Sequence, residues 1–244
     1  MVVSFRRRGE PRAGDAQRIP SLVDDNEQPP ALTQPEVDEA VVVPREIGAA
    51  RVAPTVIRYA RRMQQPRRLS RRVAYSGIFL RVNVDRVALP NGREVDLEFI
   101  EHPGASAVVP LHADHTVTLV RQYRYATGGS ILEVPAGKLD AGESPEGCAR
   151  REVEEEVGLR AGALHPLGSI WTTPGFTNER IWLFAATGLT AGRQELQHDE
   201  VLDVLRLPLA EALALIERGE LPDGKSLAAL VRTEQELRAG RLQA

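Results

Sequence analysis

The run Arg151-Glu152-Val153-Glu154-Glu155-Glu156-Val157-Gly158 sets three glutamates, Glu152, Glu155 and Glu156, three and four positions apart. On a helix that spacing puts them on one face, with β-carbons roughly 5–6 Å apart. Carboxylates that close repel one another. Hard divalent cations such as Mg2+ or Mn2+ are the natural compensation, because they seek carboxylate oxygens. A solvated acidic helix face carries the same letters, so the triplet alone does not separate a metal site from a surface.

The surroundings do separate them. Gly137, Glu143, Arg151, Glu152, Glu155, Glu156 and Gly158 fill every fixed position of G-x5-E-x7-R-E-U-x-E-E-x-G-U, with Val153 and Leu159 at the apolar U positions. This is the Nudix box, and the chain resembles the Nudix hydrolases. The resemblance implies a loop-helix-loop on a mixed β-sheet sandwiched between helices, an α/β (α+β) fold. It also implies metal-dependent hydrolysis of a nucleoside diphosphate linked to another moiety. Divalent ions suit that reaction because they neutralise phosphate oxygens and lower the pKa of bound water. Carried over, Glu152 and Glu156 are the principal metal ligands. Glu155 is a further ligand or a water-orienting carboxylate, and the Ala136 carbonyl completes the shell. Arg151 fixes the loop by pairing with Glu143 or its neighbours.

The flanks narrow the resemblance to ADP-ribose pyrophosphatases. Leu132-Glu133-Val134-Pro135-Ala136-Gly137-Lys138 is similar to the lead-in of that subfamily, and Arg121-Gln122-Tyr123-Arg124 resembles the strand whose second Arg holds substrate. Thr173-Pro174-Gly175 followed by Glu179 resembles its Ser-Pro-Gly-x-x-x-Glu loop, so Arg124, Pro174, Gly175 and Glu179 are the expected substrate contacts. One departure stands out: Asp96-Leu97 precedes Glu98 where the subfamily often carries an arginine, which keeps GDP-mannose and other sugar nucleotides in play. For the general base, the loop before the strand at Val201 offers Glu195, Asp199 and Glu200. Glu200 is favoured because it directly precedes that strand. A non-catalytic nucleotide sensor has no need of all three clustered glutamates, and a triphosphate-cleaving enzyme shares the box without the Pro174 flank.

The elements that position these residues are legible in outline. Ser144-Pro145 supplies an N-cap with proline at the first helical position and Gly158 supplies the stop, which predicts a helix between them. Period-two and β-branched runs predict strands at Tyr75–Val84, Val95–Glu101, Ala107–Leu111, Val117–Tyr123, Leu167–Thr172, Ile181–Ala185 and Val201–Leu207. Pro90-Asn91-Gly92 joins the first two. Two helices are expected at the end, over 209–218 and 226–238.

Upstream, residues 1–54 are punctuated by prolines and acidic residues and read as a disordered tail. Residues 55–72 read as a basic linker, and 73–244 as the hydrolase domain. The apolar run Ile78-Phe79-Leu80 suggests an edge strand that a homodimer would cover.

The 244 residues carry a net charge of -3, which argues against a general nucleic-acid binder. A single cysteine, Cys148, excludes an internal disulfide framework. No apolar run reaches the roughly 18 residues of a membrane span, so a cytoplasmic enzyme without a membrane partner is expected. Among 31 basic residues only Lys138 and Lys225 are lysines.

Overall fold

The computed structural model describes residues 41–47, 50–57, 65–77, 80–198 and 200–244. The chain divides into two compact units, Met1–Arg62 and Met63–Ala244. Of the first, β1 (Val41–Ile47) and β2 (Ala50–Ile57) pair as an antiparallel hairpin. The rest of the expected proline-rich tail lies outside the described residues.

The second unit begins with an antiparallel sheet of β3 (Arg67–Ser76), β4 (Arg81–Ala88) and β5 (Glu94–Glu101). The strand expected over Tyr75–Val84 is in fact the end of β3, a turn and the start of β4. Gly77 donates its N–H to the Leu80 carbonyl at 2.8 Å and reverses the chain there. β3 ends at Ser76 and β4 begins at Arg81, and within the apolar run Ile78 and Phe79 lie outside the described residues. β3 also starts earlier than the alternation suggested, because Arg67, Arg68, Arg71 and Arg72 of the supposed linker pair with β4. The turn at Pro90-Asn91-Gly92 stands as expected, with Gly92 at φ +80°.

β6 (Ala105–Pro110), β7 (Thr116–Arg124), β8 (Gly129–Glu133) and β9 (Ala136–Lys138) follow, then α1 (Pro145–Val157) and β10 (Leu159–Arg160). The chain continues through β11 (Ala163–Trp171), β12 (Arg180–Thr187), β13 (Thr190–Ala191), β14 (Leu202–Pro208), α2 (Leu209–Glu217) and α3 (Gly224–Arg238). A four-stranded mixed sheet has the order β11-β12-β6-β9, with β12 and β6 parallel. A second sheet has the order β14-β7-β8, and β10 pairs with β13.

Every residue of β6 is buried, as expected for a strand covered on both faces. Val109 joins Leu119, Leu183, Ala212, Ala229 and Leu230 in the core beneath α2 and α3. Val108 joins Val120, Phe184, Val153 and Val157 beneath α1. The mixed sheet is thus sandwiched between helices, the architecture implied by the box. Ser144 accepts the Gly147 N–H at 3.0 Å to cap α1, and Gly158 ends the helix in the left-handed region at φ +65°. No helix among the described residues is long and apolar enough to cross a membrane.

Candidate active site

α1 packs against β6 and β9, so its inward carboxylates are buried while the intervening one is not. Glu152 and Glu156 are 4% and 3% exposed; Glu155 is half-buried. A Cβ at Gly137 would overlap the Glu152 carboxylate, so the first glycine of the box leaves the space that this side chain fills. Glu156 Oε2 accepts the Ala136 N–H at 3.1 Å.

Arg151 organises the loop. Its Nε and Nη2 donate to the two oxygens of Glu143, each at 2.9 Å, in a bidentate fork. Nη1 donates to Glu152 at 2.6 Å and Glu155 at 3.1 Å, and Nη2 also reaches the Lys138 carbonyl at 3.1 Å. These carboxylates, Glu143 foremost, hold the guanidinium pKa above its ordinary value.

The buried pair is left short of positive charge. Desolvation raises Glu152 to about 7, against the opposing pull of Arg151. Desolvation and the charge on Glu152 raise Glu156 to about 8, opposed by the Ala136 N–H and Arg124. Glu200 pushes both upward, which places its charge toward the pair although its sequence lies beyond the box. Buried carboxylates with hard oxygens and incomplete compensation are the donor set a divalent cation takes. Among the described residues, no three acidic, imidazole or thiol side chains already stand as a closed cage. Arg151 Nη1 bridges Glu152 and Glu155, and the Ala136 N–H occupies Glu156.

The other expected residues lie on elements outside α1 and β9. Arg124, at the end of β7, donates its Nε to Glu133 at 2.8 Å, and its charge acts on Glu156. Pro174 and Gly175 lie in the turn after β11, where Thr173 accepts N–H bonds from Phe176 and Thr177. Glu179 accepts the Thr172 hydroxyl at 2.7 Å and faces His102 Nε2 at 3.5 Å. His102 Nδ1 accepts the Gly104 N–H, which leaves the proton on Nε2 toward Glu179. Burial holds His102 below its ordinary value, and the charge of nearby Lys138 adds to that. Glu195 donates its N–H to the Glu155 carbonyl at 2.9 Å, and Glu200 accepts the Gln197 N–H. Asp199 lies outside the described residues. A cleft of about 310 Å³ lined by Arg151, Glu154, Glu155, Arg160, Arg193 and Glu195 flanks the outer side of α1.

The profile of the NUDIX domain matches residues 101–230, from the end of β5 into α3. The chain belongs to the Nudix hydrolase family. As a Nudix hydrolase it is an enzyme of pyrophosphate hydrolysis, a class that generally works with divalent metals. It is 40% identical over 158 residues to a methanol dehydrogenase activator of Bacillus methanolicus, covering 64% of this chain and 85% of that one. It is 38% identical over 158 residues, with the same coverage, to an ADP-ribose pyrophosphatase of Bacillus subtilis (strain 168). A GDP-mannose pyrophosphatase of Citrobacter koseri is 38% identical over 133 residues, 51% of this chain and 69% of its own. The crystal structure of an ADP compounds hydrolase superposes with a TM-score of 0.67 at 25% identity, over 75% of this chain and all of that one.

Sequence reasoning passed over Glu133, Thr172, His102 and Lys225. Glu133 is a buried carboxylate at the end of β8; the lead-in over 132–138 contained it, but gave it no partner and no role. Lys225 carried a signal, as one of two lysines in the chain, but nothing in the sequence says what it faces.

Proposed function

We propose that this Nudix hydrolase cleaves ADP-ribose and water to AMP and ribose 5-phosphate. The observation that supports the reading is the charge of Arg124 acting on buried Glu156, together with a Glu179 held by Thr172 and His102 as an acceptor. Arg124 acts on Glu156 from one side. Glu179 is fixed by Thr172 and faces His102, on which the charge of Lys138, the last residue of β9, also acts. A diphosphate bound between them has a planar cationic donor within reach of its oxygens and an acceptor for ribose hydroxyls. The pyrophosphatase of Bacillus subtilis supports the same substrate.

Glu152 and Glu156, with Glu155 and the Ala136 carbonyl, would hold Mg2+, or Mn2+ in its place. The cation supplies charge neutralisation at the diphosphate and a water acidic enough to attack near neutral pH. Glu200 is the general base, taking a proton from the attacking water; it belongs to a short tethered segment before β14 and its charge acts on both buried glutamates. Arg151 keeps the loop in place and orients Glu152 and Glu155. Pro174 and Gly175 shape the wall against which the second ribose rests.

The catalytic unit is proposed to need only residues 63–244. A homodimer is proposed through the β3–β5 sheet, where Val73, Tyr75 and Leu97 are exposed; light scattering showing a monomer at micromolar concentration would count against it. A single buried cysteine suits residence in the reducing cytoplasm.

A second reading, hydrolysis of GDP-mannose, rests on the Citrobacter relative and on Asp96-Leu97, where Asp96 is engaged by Arg86 at 3.1 Å. A product-resolved panel of ADP-ribose, GDP-mannose, NADH, diadenosine polyphosphates and nucleoside triphosphates, compared by kcat/KM, decides between them. ADP-ribose ranking tenfold or more below any other overturns the first reading.

A further inference from the structure

Arg124 is held by a carboxylate that a second cation shares. Glu133 has a side chain 4% exposed, with Arg124 Nε on one oxygen at 2.8 Å and Lys225 Nζ on the other at 2.7 Å. Lys225, itself 13% exposed, also donates to Asp223 at 2.9 Å. Asp223 caps α3 by accepting the Ser226 N–H at 3.0 Å and the Ser226 hydroxyl. That hydroxyl in turn accepts the Val134 N–H at 2.8 Å, one residue after Glu133 and two before Ala136. The first turn of α3 is therefore tied at two points to the strand that leads into the Nudix box.

The charges in this chain alternate, Arg124, Glu133, Lys225, Asp223, and sum to zero. Only the Nε edge of Arg124 is engaged; among the described residues its two Nη atoms make no hydrogen bond. A carboxylate this deeply buried with one cation alone would draw the guanidinium into a two-pronged fork, because an uncompensated buried charge is costly and Arg offers a second N–H on the same edge. Lys225 removes that demand by taking the other oxygen.

We propose that Lys225, oriented by Asp223, is a positioning residue that keeps the Nη edge of Arg124 free for the substrate diphosphate. The inference rests on the reading that Arg124 contacts substrate. Lys225 acts only through Glu133, so its removal weakens substrate binding more than the chemical step. The residue is also specific in kind: an arginine there keeps the charge on Glu133, whereas a methionine keeps the stem and loses it.

The test uses the full chain, with turnover of ADP-ribose in Mg2+ and the calorimetric affinity of α,β-methylene ADP-ribose. Lys225→Met is expected to raise KM and the analogue Kd about tenfold with kcat within threefold of wild type. Lys225→Arg is expected to stay within threefold on all three. Adding Glu133→Gln to Lys225→Met removes the charge that captures Arg124, and is expected to recover most of the lost affinity. A double variant no better than Lys225→Met alone would overturn the inference, as would a kcat loss with unchanged Kd. Should Lys225→Met fail to fold, Asp223→Asn keeps a good helix cap while loosening Lys225; it is expected to raise Kd severalfold, and an unchanged Kd would overturn the inference too. Arg124→Ala separates the two levels. If it leaves Kd unchanged, the reading of Arg124 as a substrate contact has failed; if it raises Kd while Lys225→Met does not, only the positioning role has.

Discussion

Two clusters of buried acid in this molecule are built on opposite electrostatic plans. In the β3–β5 sheet, Arg71 forks onto Asp85 at 2.6 and 2.7 Å, reaches Glu101 as well, and lies over the Phe99 ring at 5.2 Å. Asp85 and Glu101 share this one cation, and the guanidinium is held above its ordinary pKa chiefly by Asp85. In the Nudix box Arg151 is spread over Glu143, Glu152 and Glu155, and Glu156 accepts the Ala136 backbone N–H. The first cluster is complete as it stands and needs nothing from outside. The second leaves two buried carboxylates raised above their ordinary pKa, the state that the proposed cation would relieve. Acidic composition does not distinguish them; the local balance of charge does.

The largest effect that bears on this contrast comes from Glu156→Gln or Glu152→Gln. Either is expected to lower turnover in Mg2+ a hundredfold or more, consistent with the several kcal/mol that a catalytic cation contributes to the transition state. In chelator, the same variants should melt no lower than wild type, since a buried charge short of compensation has been removed. Near-wild-type turnover in both variants would sink the metal assignment.

Glu200→Gln is expected to lower kcat by about 10²–10⁴ with KM within threefold. A KM change with intact kcat would move the general base elsewhere in the loop.

Arg71→Met should do the reverse of the glutamate variants. It strands two acids, and a loss of about 1–3 kcal/mol is expected for leaving them unpaired, discounted for their partial exposure. In a domain of this size that lowers Tm by roughly 2–4 °C per kcal/mol, with kcat in Mg2+ within twofold of wild type for the folded protein. An unchanged Tm would show that the sheet's cluster is not structural.

The pH dependence of the metal-free protein sharpens the contrast further. Folding raises Glu152 and Glu156 from an ordinary 4.5 to about 7 and about 8. The folded state then binds more protons than the unfolded one, so stability is greatest below about 4.5 as far as these two groups are concerned and is lost as pH rises through about 8. A melting series in chelator should therefore show Tm falling between pH 5 and 8, and Glu156→Gln should flatten that slope. A wild-type Tm that rises over this interval contradicts the burial of the pair.

The smallest effect is expected from removing residues 1–62, with kcat and KM for ADP-ribose within twofold. A larger fall with an intact fold would tie the first unit to catalysis.

The box was legible because its fixed positions are set by local geometry. Ser144, Pro145 and Gly158 bound one helix, and the spacing of Glu152, Glu155 and Glu156 is the spacing of that helix. The long strands of the mixed sheet showed through short apolar and β-branched runs, the pattern of strands covered on both faces. Gly77 broke an apparent single strand in two, since a β-branched run on either side of a glycine carries the same pattern as one strand. β8 and β9 were missed because five and three residues are too few for a period to emerge. Glu133 and Lys225 stand 92 positions apart in sequence, and no local pattern reports such a pair. Of His102 and Glu179, only the second lay in a recognisable loop.

Gly137 and Glu152 amount to a single volume divided between two positions. The glycine is the mould and the carboxylate the cast: a side chain gained at 137 displaces the Glu152 carboxylate, whereas Glu152→Gln keeps the same volume. In any attempt to evolve this enzyme toward a new substrate, a methyl group gained at 137 therefore acts first on the position of the Glu152 carboxylate, and only through it on the rest of the box.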